Sequence, residues 1–94
     1  MKMTDGSTRQ LLNPKSPAIR ISEENAKLID TTRNVSIEFI VNPDGTVPYN
    51  SIEIVPAAAL PSPIQQEIRN QLMNWLFSKG GTNRAVFKYT LQVN

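Results

Sequence analysis

Hydrophobic positions fall into three regular stretches, and their spacing differs. From Asn34 to Val41 the apolar residues alternate. Val35, Ile37, Phe39 and Val41 share one phase, and Ser36, Glu38 and Ile40 the other. A period of two predicts a strand with one buried face. Between Pro61 and Lys79 the spacing lengthens, with apolar residues at Leu60, Ile64, Ile68, Leu72, Trp75 and Leu76. That is one stripe of a helix, with Gln66, Glu67, Asn70 and Asn74 opposite. From Arg84 to Val93 the alternation returns over its longest run. Ala85, Phe87, Tyr89, Leu91 and Val93 form one face, and Arg84, Val86, Lys88, Thr90 and Gln92 the other.

Punctuation between these stretches completes the reading. Ser62 suits an N-cap, Pro63 the first helical position and Gln65 the return arm of a capping box. Lys79 in the last turn complements the helix dipole, and Gly80-Gly81 predict a left-handed stop, so the helix is expected to end in Trp75-Leu76-Phe77. Asn42-Pro43-Asp44-Gly45 predicts a tight turn and a hairpin. The return strand, Thr46 to Val55, changes phase between Tyr49 and Ile52, which predicts a bulge near Asn50-Ser51. Pro48 cannot donate to a ladder, so this strand belongs at an edge. Near the N-terminus, residues 1–16 are polar and read as a flexible tail or linker. Ala18 to Ile21 reads as a short extended piece. Ser22 followed by Glu23 and Glu24 predicts a short helix through Ala26, Leu28 and Ile29.

The order strand-strand-helix-strand predicts an α+β domain over residues 17–94. Its sheet has three antiparallel strands, and the main helix and the short N-terminal helix cover one face. The first strand is central, because the crossover helix carries the chain past it to its other side. The last strand then forms a long, regular edge without proline. Such edges are either protected or used for pairing. The extended segment Ala18–Ile21 could cap it.

Composition narrows the chemistry. The chain has 94 residues, 39% of them hydrophobic, enough for one small globular domain. It has neither cysteine nor histidine, which removes a thiol nucleophile and the commonest general base and metal ligand. Glu38 and Glu53 can face each other across the hairpin, but on an open sheet face nothing tunes such a pair for acid–base work. No phosphate loop surrounds Gly80-Gly81, and no run of oxygen ligands suits a metal. No enzyme activity and no cofactor are therefore expected. A net charge of +2 gives no general pull toward nucleic acid. Arg84 and Lys88 share their strand with Tyr89, but lie on the opposite face from it and from Phe87, so core packing explains the aromatics better than base stacking. No stretch reads as a signal peptide or a transmembrane helix.

A family resemblance joins these elements. Val35-x-Ile37-x-Phe39-x-Val41-x-x-Asp44-Gly45-x-Val47, then Trp75-x-Phe77, then Val86-x-Lys88-x-Thr90-Leu91 resembles the C-terminal domain of the TonB family. The likeness spans residues 34–93. It departs from the family pattern at Lys79, where a proline is usual, and at Ser16-Pro17-Ala18-Ile19, where a Tyr-Pro segment is usual. The resemblance implies a periplasmic domain of a protein anchored in the inner membrane by an upstream segment. It implies that the domain grips a TonB-box-like segment of an outer-membrane transporter by strand addition, for energy-coupled uptake. The matching edge is Arg84, Val86, Lys88, Thr90 and Gln92, while Asp44, Gly45, Trp75 and Phe77 are structural. The alternative is an envelope or secretion-apparatus scaffold of the same fold, forming a homodimer through that edge.

Overall fold

In a computed structural model, residues 1–93 are described. The elements are β1 (Leu11–Asn13), α1 (Glu23–Ala26), β2 (Arg33–Val41), β3 (Glu53–Val55), α2 (Ser62–Leu72), β4 (Leu76–Phe77) and β5 (Asn83–Leu91). The fold is α+β. Its main sheet is antiparallel with order β3-β2-β5, so β2 is central and α2 carries the chain between the two edges. A second, two-stranded sheet pairs β1 with β4.

The alternation in β2 is realised residue by residue: Val35, Ile37, Phe39 and Val41 are buried. Ile64, Ile68 and Leu72 of α2 meet them without solvent exposure. Phe39, Trp75, Phe77 and Phe87 add a chain of aromatic contacts with ring centroids about 6 Å apart. Edge-to-face geometry, as between Trp75 and Phe39, satisfies the ring quadrupoles as well as filling space.

Where the structure departs from the sequence reading, long-range bonding is the cause. The helix stops at Leu72, with Met73 as its C-cap, well short of Lys79. Trp75 and Phe77 are buried while Leu76 is exposed, a period of two. Leu76-Phe77 is a strand because it has partners on both sides. One is β1, and the other is the turn, where the Phe77 amide donates to the Gly45 carbonyl at 2.8 Å and Leu76 bridges Thr46. At the other end, Pro61 holds the cap position without a side-chain bond. Ser62 is already helical, and Gln65 donates instead to the carbonyls of Ala57 and Leu60. Gly80-Gly81 are not left-handed; among the described residues positive φ is confined to Gly6 and Gly45.

The expected bulge is a short 3-10 turn, Tyr49–Ser51, so the return strand shrinks to Glu53–Val55. The phase change is real, since Val47, Ile52 and Ile54 are buried while Tyr49 is exposed. The predicted short helix forms behind Ser22, whose hydroxyl accepts from the Asn25 amide, but it ends at Ala26.

The first thirteen residues, expected as a flexible tail, pack into the domain. Met3 and Arg9 are buried, and Lys2 bridges Thr8. Arg9 is the anchor. Its guanidinium donates to the carbonyls of Asn42, Ser78 and Gly81 and to the Asn83 side chain, at distances up to 2.9 Å. These acceptors are neutral, and the planar fork with five donors is what lets one residue satisfy four of them. Gly80 leaves room for it: a Cβ there would sit 2.9 Å from Arg9 Nε.

Candidate functional site: the open edge of the main sheet

The site is the backbone of β5. Its register with β2 runs unbroken from Asn83 opposite Val41 to Leu91 opposite Arg33. In an antiparallel ladder, alternate residues turn both their N–H and C=O to the same side. Ile40, opposite Arg84, sends its amide to the Ser51 hydroxyl on the β3 side. Arg84 and Ile40 are therefore a non-hydrogen-bonded pair, and Arg84, Val86, Lys88 and Thr90 turn their backbone groups away from the sheet.

The first of these is already used. The Thr4 amide donates to the Arg84 carbonyl at 2.8 Å. Asp5 fixes that contact by accepting from the Asn83 side chain and from both the amide and the hydroxyl of Ser7. These bonds hold the Asp5 carboxyl below its ordinary pKa, the Ser7 hydroxyl contributing most. Beyond Arg84, among the described residues, no segment outside the sheet bonds to the backbone of Val86, Lys88 or Thr90. Ala18–Ile21 does not cap this edge. Arg20 exchanges backbone bonds with the Gln71 side chain, which lays that segment along α2 instead.

The predicted side chains divide by position. Arg84 pairs with Glu38, which itself faces Glu53 across β2 and β3. That contact pushes the Arg84 pKa up through a hydrogen bond and the opposite charge. Val86 is exposed (42%). Thr90 donates its hydroxyl to Asn34 at 2.7 Å. Lys88 has no carboxylate within ion-pair distance among the described residues. Gln92 lies just past the end of β5, because pairing with β2 stops at Arg33.

The structural residues are elsewhere. Asp44 caps its own turn, accepting from the hydroxyl and amide of Thr46, and both bonds lower its pKa. Gly45 has φ +92°, and a Cβ there would stand 1.9 Å from the Phe77 carbonyl oxygen. Trp75 and Phe77 fill the core. Sequence reasoning missed Arg9 and Thr4. Neither lies in a periodic stretch, and both act through partners distant in the sequence, Asn42 to Asn83 for Arg9 and Arg84 for Thr4. Among the described residues no group of three acidic or sulfur- or imidazole-bearing side chains is placed to hold a metal. None of the helices described is long and apolar enough to cross a membrane.

No family model, no curated protein and no solved structure matches this chain.

Proposed function

We propose that this is a non-catalytic, periplasmic interaction domain that works like the TonB C-terminal domain. It grips an extended segment of an outer-membrane transporter by adding it to β5, as part of energy-coupled uptake. The observation that carries the reading is the outward backbone of Val86, Lys88 and Thr90, which has no partner among the described residues on a long, straight strand. Strand addition draws affinity from main-chain bonds and selectivity from alternate side chains, and needs neither a pocket nor a cofactor. The sequence likeness to the TonB family supports the choice of partner. Trp75, Phe87 and Tyr89 pack in a row against the inner face of β5, which supports the strand without any bound segment.

The test is amide exchange by NMR, with and without peptides taken from transporter plug regions. The amides of Val86, Lys88 and Thr90 exchange quickly in the free domain and slowly in the complex, while those of Ala85, Phe87 and Tyr89 are protected in both. Slow exchange at Val86, Lys88 and Thr90 in the free domain, with a dimer in sedimentation, would favour the self-associating scaffold instead.

A further inference from the structure

The edge is bounded at both ends, and the bounds describe what can occupy it. At the Arg84 end the Thr4 amide takes the first outward carbonyl. At the other end an open groove of about 350 Å³ lies between α1 and the end of β5, and its apolar lining includes Ala26, Ile29, Leu91 and Val93. Leu91 points to the helix-covered face of the sheet, as do Phe87 and Tyr89. A strand laid beside β5 sends its own alternate side chains into that same layer. Its residue next to Leu91 is therefore directed at the groove.

Charge selects between a foreign segment and a second copy. Two copies joined edge to edge through all three open residues must be centred on Lys88, which places Lys88 opposite its own duplicate. Like charges directly opposite are destabilising. Among the described residues no acid lies within ion-pair distance of Lys88. An acidic side chain on the solvent face of an incoming strand supplies one.

We infer that the occupant of the β5 edge is an extended segment, paired from Val86 to Leu91, that carries a large aliphatic side chain seated in the Ala26–Ile29–Leu91–Val93 groove and an acid facing Lys88. This rests on the strand-accepting reading above and adds to it a register and a chemical class. Thr4 stops the segment at one end, and the groove anchors it at the other.

The test uses the full 94-residue chain and fluorescein-labelled nine-residue peptides. One face of each peptide is Thr with a single central Glu. The other face is Val, with one Leu at either the N-terminal or the C-terminal end, so that both strand directions are sampled. One of the two Leu placements binds more tightly, protects the Val86, Lys88 and Thr90 amides, and shifts the resonances of Ala26 and Ile29. Replacing its Leu by Ala weakens binding about tenfold, the value of burying one such side chain. A domain variant that fills the groove, Ala26→Leu, weakens the Leu peptide to the level of the Ala peptide and leaves the Ala peptide unchanged. Replacing the peptide Glu by Gln weakens binding to the wild-type domain but not to Lys88→Gln. Protection of the β5 amides with equal affinity for Leu and Ala peptides, and no shift at Ala26 or Ile29, overturns the groove assignment and leaves strand acceptance standing. No protection by any peptide overturns both. A dimer with Val86, Lys88 and Thr90 already protected makes the second copy the occupant and overturns the inference as well.

Discussion

The two edges of one small sheet are treated in opposite ways. On the β3 side, β2 is covered piecemeal. Asn42 bonds Thr46, Ile40 bonds the Ser51 hydroxyl, and only three residues of β3 follow, between Pro48 and Pro56. With only the backbone groups of Ile54 turned away from β2, its side chain being buried, that edge is too short to template another strand. On the β5 side nine residues pair in unbroken register, and among the described residues three outward backbone positions are left open. Proteins usually blunt long edges with proline, bulges or covering loops. Here most of the blunting lies on the β3 side, with only Thr4 covering Arg84 on the other, which is why β5 is the place to look for a partner.

The comparison is broken most severely at Gly45. A Gly45→Ala side chain meets the Phe77 carbonyl at 1.9 Å and needs a left-handed backbone, so the closed side loses both its turn and its link to β4. We expect a loss of more than about 3 kcal/mol in urea unfolding. Arg9→Met comes next, because Arg9 ties the closed-side turn at Asn42 to the start of the open strand at Asn83. It removes both donors to the half-buried Ser78 carbonyl and the cross-tie to Asn42 and Asn83, at a cost of about 1–3 kcal/mol by the same assay. A pair of prolines then separates the faces of β5. Phe87→Pro removes an amide that bonds β2 and costs about 3 kcal/mol or more. Lys88→Pro removes an amide with no partner among the described residues, so it should cost about 1 kcal/mol and still abolish peptide binding in a fluorescence titration.

The smallest effect concerns pH. Burial works to raise the Glu67 pKa, but the bonds it accepts from Asn25 and Ser22 outweigh it and lower the value. A depressed carboxyl contributes stability above its unfolded value near 4.5, and that contribution is lost as pH falls through the lower folded value. The thermal midpoint should therefore fall below about pH 4.5, and Glu67→Gln should flatten that fall, without change in peptide binding at neutral pH.

Much of the sheet was legible because it is written locally. The Val35–Val41 and Ala85–Leu91 alternations, the Asp44-Gly45 turn and the proline-bearing edge each need only a few neighbouring residues. The apolar stripe of α2 was equally plain, but its end was not. Trp75 and Leu76 continue a helical spacing as naturally as Trp75 and Phe77 begin a strand. What decides between them is the Gly45 carbonyl and β1, both far from Phe77 in the sequence. The tail misled for the same reason. Polar residues such as Arg9 and Thr4 look solvated until the acceptors they meet are known. The open edge could be read from the alternation and the missing proline, whereas its limits, Thr4 and the α1 groove, required the fold.

Arg9 also governs how the molecule bears force. Tension applied at the first residues meets the Thr4 bond to Arg84 at the start of β5, and then the guanidinium. Its bonds to Asn42, Ser78, Gly81 and Asn83 share one rigid plane and must give way together. The load is thus spread over the turn after β2, the β4–β5 connection and the first residue of β5, ahead of Val86–Leu91. A domain pulled from its N-terminal side while holding a partner on β5 would keep its grip until that knot tears.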